Sequence, residues 1–185
     1  MQIASLEEIE RILLRLPEIV DRLDSKDPRF SDLVKSWLQD LERAFAENRL
    51  FQAAEVAALR AMVISAERGV ICPGMEVSGP KTPRKVREAV AADSLKRAEG
   101  IAADAIRGDS ARIAEGERLA RQLVAIAEQK GIIKRFSAEE DHTTMLIGIW
   151  SEISLDPDLM AGATALKGLV GFRDALILVD RALPL

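Results

Sequence analysis

The chain has 185 residues, of which 48% are hydrophobic and 30% charged, so it can bury a continuous core and lacks the composition of a disordered protein. Its formal net charge of −4 differs from the basic balance typical of nucleic-acid-binding domains, and its single cysteine excludes an intrachain disulfide. It has neither a secretory-signal pattern at the N-terminus nor an uncharged apolar stretch of about 18 residues, so we expect a cytoplasmic protein without a membrane span.

The first predicted helix has apolar side chains at a spacing of three and four from Leu6 to Leu23. Ser5 and Glu8 have the spacing of a capping box, which predicts the start of the helix. Pro17 interrupts the apolar stripe. Since the stripe keeps its phase across the proline, we predict one kinked helix rather than two abutting helices.

Two more helices are predicted in the first third of the chain. The second helix follows a restart at Asp27 and Pro28, has one apolar face and ends at Asn48. The third helix, from Leu50 to Glu67, is rich in alanine and apolar on most sides. Such a helix is expected to be central in a bundle.

The next two helices follow a segment rich in glycine and proline, 69–81, which is the one candidate linker. Thr82 followed by Pro83 fits a helix N-cap and first helical residue. Gly108, together with the aspartate and serine that follow it, predicts a stop and a new cap. A fifth helix then extends to Gly131.

The C-terminal third is predicted to hold the remaining helices. Ser137 and Glu140 have the spacing of a second capping box, and Asp156 begins a last segment that ends near Leu183. Within this segment, residues 159–172 carry one charge. A surface helix that binds membranes would have a lysine-rich face, so a core position or a dimer face is favoured instead.

These patterns predict an all-α protein, a helical bundle of about six to eight helices with no convincing strand. We expect a single helical domain over 1–185. A subdivision into 1–68 and 82–185, joined by the loop 69–81, is the alternative.

Charge is distributed unevenly, with a net of −3 over 1–68, +4 over 69–136 and −5 over 137–185. Mutual attraction between helices of one bundle explains this distribution most simply. The alternative is a phosphate contact by the basic region 81–135. Its candidate anion or nucleic-acid contacts are Lys81, Arg84, Lys85, Arg87, Lys134 and Arg135.

The chain has one cysteine, Cys72, and one histidine, His142, and these limit the chemistry that it can perform. Cys72 is a candidate reactive thiol, which would make the chain a redox sensor or an enzyme, although a lone cysteine is usually a small buried hydrophobe. Glu139 and His142 have the spacing found in helical di-iron sites. A second histidine would be needed to complete such a site, so we expect no metal and no cofactor.

The function that these features favour is protein–protein contact, by a non-catalytic adaptor, scaffold or small subunit of a larger assembly. No nucleotide-binding loop or nucleophile motif is present. The apolar excess of the third and last predicted segments favours self-association, and a twofold dimer is the commonest arrangement. A nucleic-acid-associated accessory protein and a Cys72-centred sensor or enzyme are the alternatives.

Overall fold

The computed structural model describes residues 2–70, 82–136, 139 and 141–184. Every regular element in these ranges is an α-helix, and eight of the helices have nine residues or more. The all-α prediction of about six to eight helices is therefore confirmed, with the five-residue α6 as an additional turn. The helices are α1 (Ile3–Leu13), α2 (Leu16–Asp24), α3 (Phe30–Glu47), α4 (Gln52–Glu67), α5 (Pro83–Gln129), α6 (Ile132–Phe136), α7 (His142–Leu155), α8 (Met160–Val170) and α9 (Phe172–Ala182).

The described helices group into two compact units, which divide inside α5. Unit 1 contains α1 to α4 and α5 as far as Arg107, and unit 2 contains α5 from Gly108 onward and α6 to α9. The candidate linker 69–81 lies mostly outside the described residues. A subdivision at that loop stays a prediction.

The core of unit 1 is built on α3, which packs against α1, α2 and α4. The apolar stripe of α3 is buried from Phe30 to Phe45 and includes Trp37. The helix ends at Asn48, as predicted, and the Asn48 side-chain amide donates to the carbonyl oxygen of Ala44 at 2.8 Å. The expectation that the alanine-rich α4 is central is wrong. It buries one stripe, and its alanines cover much of the opposite, exposed side; the buried residues are Val56, Leu59, Val63 and Ala66.

The predicted kinked first helix is two helices. A proline nitrogen cannot donate a hydrogen bond and its ring clashes with the carbonyl four residues earlier, so α1 ends at Leu13 and Pro17 lies in the first turn of α2. The predicted start at Ser5 is also wrong. The helix begins at Ile3, whose side chain is buried in the core of unit 1.

The predicted stop at Gly108 does not occur, because α5 is one helix of 47 residues. Its start agrees with the prediction, since the Lys85 backbone N–H donates to Thr82 Oγ1 at 3.4 Å. Its end agrees as well, since Gly131 adopts a positive φ of 71° just beyond Gln129. One glycine in a helix costs about 1 kcal/mol relative to alanine, which the surrounding alanines and ion pairs offset.

The helices of unit 2 also differ from the predicted boundaries. Asp141 caps α7, accepting the backbone N–H of Thr144 at 2.7 Å, whereas the capping box at Ser137 and Glu140 lies outside the described residues. The last segment is two helices, because Gly171, with a φ of 88°, separates α8 from α9.

Glycines allow close packing at three places in unit 2, and at Gly148 an added Cβ would clash with the ring of Phe136. A Cβ added to Gly116 of α5 would lie 2.8 Å from Leu178 Cδ1, and one added to Gly162 would lie 2.9 Å from Leu123 Cδ2. A Cβ added to Gly168, by contrast, would meet no described atom of the chain within 4 Å.

Candidate functional site

The predicted basic contacts are distributed between the two units. Arg84, Lys85 and Arg87 lie in the first turns of α5 in unit 1, and Lys134 and Arg135 lie on α6 in unit 2. Lys81 lies outside the described residues. The structure therefore brings three of the six together on one helical turn.

Acidic side chains surround the basic residues at the start of α5. Arg84 pairs with Glu88 at 2.7 Å and donates to the carbonyl oxygen of Lys26 at 2.9 Å. Arg84 and Arg87 line a polar cavity of about 340 Å³, which three carboxylates also line: Asp32, Glu67 and Glu88. An anion that entered this cavity would meet three negative charges and two positive ones. The geometry does not favour a phosphate contact there, and such a contact stays a prediction.

Most arginines along α5 are neutralised within the helix. At least six ion pairs join residues three or four apart: Arg84–Glu88, Asp93–Arg97, Asp104–Arg107, Asp109–Arg112, Glu115–Arg118 and Glu117–Arg121. In five of them the acid comes first, which is the orientation that suits the helix dipole. Much of the basic charge in the middle of the sequence is therefore neutralised by ion pairs within α5.

The chemistry proposed for Cys72 cannot be placed, because Cys72 lies outside the described residues. His142, the one histidine of the sequence, begins α7, and its Nε2 lies 2.7 Å from Oδ1 of Asp180 in α9. Both side chains are exposed. Among the described residues, no three or more histidine, cysteine, aspartate or glutamate side chains are grouped so that they could hold a metal ion.

An apolar groove between α7 and α8 is a surface feature that fits a binding role. We call it the α7–α8 groove, and its volume is about 370 Å³. From α7 it is lined by Ile147, Trp150, Ser151, Ser154 and Leu155. From α8 it is lined by Ala163, Thr164 and Lys167.

Large apolar side chains in and beside this groove are open to solvent. Leu155 is 77% exposed, Ile147 is 49% exposed and Met160, one turn before Thr164, is 52% exposed. Scattered apolar residues on a surface need no explanation, but a contiguous group in a groove is typical of an interaction site.

Two lining residues of the α7–α8 groove, Trp150 and Lys167, both contact the ring of Phe172. The rings of Trp150 and Phe172 meet edge to face, with their centroids 6.1 Å apart. Lys167 Nζ lies 5.7 Å from the centroid of the Phe172 ring, within the range of a cation–π contact. Within the described part of unit 2, no carboxylate lies within 4 Å of Lys167 Nζ, so its charge is available to a partner.

Sequence reasoning identified parts of this groove without identifying the site. In α7, Ile149, Trp150 and Ile153 form one buried face. The missed signal was that Ile147 and Leu155 fall outside that face. Apolar residues on two sides of one helix indicate two surfaces to be covered, of which the described residues cover one.

Comparison with known proteins adds nothing to this geometry, since no family model, curated protein or solved structure matches the chain. Of the described helices, none is long and apolar enough to cross a membrane. Function must therefore be inferred from the chemistry of the described surfaces.

Proposed function

We propose that this chain works through protein–protein contact and that the α7–α8 groove is its contact surface. The observation that carries the proposal is the exposure of Leu155 and Ile147 in a groove that also contains Trp150. Covering such side chains on binding would release about 25 cal/mol for each Å² of apolar surface removed from water.

The composition of the groove supports a protein partner. Aromatic residues and methionine are enriched at protein interfaces, and charged residues are depleted at their centres. The described lining of the groove contains Trp150 and one charged residue, Lys167, and Phe172 and Met160 lie beside it. Adaptors, scaffolds and small subunits all use surfaces of this kind.

Site-specific crosslinking in the cells that carry the gene tests this proposal. A photoreactive phenylalanine analogue replaces Ser151, which lies in the groove and is exposed, and in a matched variant it replaces Ala165, which is exposed on α8 outside the groove. We expect a covalent adduct from position 151 and little or none from position 165.

The mass of the adduct identifies the type of partner. An adduct of twice the chain mass would show self-association through the groove, and any other discrete mass would show a different protein. Absence of an adduct at 151, or equal adducts at 151 and 165, would contradict the assignment of the groove as the contact surface.

A further inference from the structure

We infer that the occupant of the α7–α8 groove is an amphipathic helix of another protein that carries a carboxylate facing Lys167. This inference rests on the proposed function and makes it more specific. Three features support it: the spacing of the groove residues, the charge of Lys167 and the lack of a carboxylate in the lining.

The groove residues have the spacing of a surface against which a third helix can pack. On α7 its residues recur as Ile147, Ser151, Ser154 and Leu155, which is the spacing of one helical face. On α8 the residues Ala163, Thr164 and Lys167 follow the same rule.

Two small side chains, Ser151 and Ser154, lie along this face between Ile147 and Leu155, beside the largely buried Trp150. Ser151 and Ser154 leave room for the ridge of a packed helix, while Ile147 and Leu155 can contact its sides. A helix that lays its apolar face into a hydrophobic groove is a common mode of peptide recognition.

The charge of Lys167 determines which charged residue we expect on the partner helix. Lys167 is the one charged residue in the lining, and it lies in the last turn of α8 over the ring of Phe172. A helix that buried this ammonium group without a counter-charge would remove its hydration without replacement. An aspartate or glutamate beside the apolar stripe of the partner would provide the counter-charge.

The same argument disfavours a second copy of this chain in a symmetric arrangement. A twofold contact brings the same patch from both subunits. It would bring a second Lys167 and no carboxylate from the described lining, which contains none. A partner of different sequence and local negative charge fits better.

A helical peptide library displayed on phage tests the inference with the full chain as the target. The probes are amphipathic 18-residue peptides in which the apolar face varies among Leu, Ile, Met, Phe and Ala. One flanking position carries Glu, Gln or Lys in equal proportions. We expect binders in which Glu exceeds Gln about two- to fivefold, the range of a partly exposed ion pair, and in which Lys is depleted.

Charge reversal provides the decisive control. With Lys167→Glu as the target, the preference should reverse to Lys, whereas Lys96→Glu in unit 1, a reversal at an exposed lysine outside the groove, should leave it unchanged. Leu155→Ala should weaken the binding of enriched peptides at least about threefold, because it removes apolar contact area.

The failures of the two proposals are distinguishable. Binders that need Leu155 but show no charge preference, or one that Lys167→Glu does not reverse, would overturn the acidic-helix inference and leave the groove as a contact surface. Absence of enriched binders, or binders indifferent to Leu155→Ala, would overturn both. Sedimentation that shows a dimer dissociated by Leu155→Ala would assign the groove to a second copy and overturn the inference.

Discussion

The indole N–H of Trp37 donates a buried hydrogen bond of 2.7 Å to the backbone carbonyl oxygen of Ile12. Ile12 lies in the last turn of α1, where the backbone N–H of Leu16 would bond its carbonyl if the helix continued. The Arg15 N–H makes a longer bond of 3.2 Å to the same oxygen. The Trp37 side chain of α3 therefore provides a hydrogen-bond donor for a carbonyl group that lacks its usual helical partner, because α1 ends before Pro17.

Replacing Trp37 with phenylalanine is expected to lower the free energy of unfolding by about 2–4 kcal/mol. The change removes a buried hydrogen bond and leaves a cavity at a fully buried position. Urea denaturation measures the loss. The control is Trp150→Phe, which removes an indole that makes no such hydrogen bond to the described residues, and losses of equal size in the two variants would contradict the role given to the Trp37–Ile12 bond.

Two glycines of α5 should respond in opposite directions to substitution by alanine. At Gly116 the new Cβ would meet the buried Leu178 and Val170, so Gly116→Ala should cost about 1–3 kcal/mol. At Gly108 it would meet no described atom, so Gly108→Ala should raise stability by about 0.5–1 kcal/mol. Thermal unfolding of the two variants is the measurement. A loss at Gly108 would indicate that this position needs a glycine for a reason other than packing.

The sequence predictions are correct where one local effect decides the outcome and wrong where two effects compete. Local rules located Thr82 and Asn48 at helix ends, because capping depends on a few neighbouring residues. The same rules gave a stop at Gly108 and a continuous helix across Pro17. At Gly108 the surrounding alanines and ion pairs outweigh the cost of one glycine, and at Pro17 the missing N–H and the ring clash outweigh the continuous phase of the apolar stripe.

Ser94 provides a test of how much a buried hydroxyl group without a described hydrogen-bond partner lowers the stability of unit 1. It is 0% exposed, and its hydroxyl has no hydrogen-bond partner among the described atoms. Ser94→Ala should raise the free energy of unfolding by about 1 kcal/mol, since it removes an unsatisfied group from a helix interior. The matched control is the exposed Ser151→Ala, which has the same change in helix propensity. A gain at 151 as large as at 94 would show that burial is not the cause.

The ion pair of Lys130 with Asp156 predicts how stability depends on pH. Lys130 Nζ lies 2.6 Å from Oδ1 of Asp156 and also 2.6 Å from Asp158. The hydrogen bond from Lys130, followed by the Asp158 backbone N–H, lowers the pKa of Asp156 below its usual value. A lowered carboxyl pKa stabilises the folded state above the usual pKa, and this stabilisation is lost as the pH falls through the folded-state pKa.

Asp156→Asn should therefore lower the free energy of unfolding near neutral pH. The difference in this free energy between the variant and the wild type should shrink as the pH falls below about 4. Denaturation series from pH 7 to pH 2 measure this. The pairing also raises the pKa of Lys130, so its contribution should persist up to the usual lysine pKa and be lost at higher pH. With Lys130→Met the acid-dependent difference should become smaller, and a difference that stays constant to pH 2 would contradict the assignment.

The α7–α8 groove was harder to predict from sequence than the helices that form it. The apolar character of residues 159–172 was evident, but a core position and a dimer face remained open. The structure shows that Leu159, Ala163 and Leu166 are buried while Met160 is exposed. Which side of a helix stays uncovered depends on the placement of its neighbours, and the helical period does not contain that information.

Substitutions at two residues of α7 should distinguish a side chain that is needed for folding from one that is available for contact with a partner. Ile153 is fully buried, so Ile153→Ala should cost about 2–5 kcal/mol. Leu155, two residues later, is mostly exposed, so Leu155→Ala should change the free energy of unfolding by less than about 0.5 kcal/mol. Urea denaturation of both variants is the measurement. If Leu155→Ala cost as much as Ile153→Ala, Leu155 would be needed for folding, and its exposure would no longer support a contact surface.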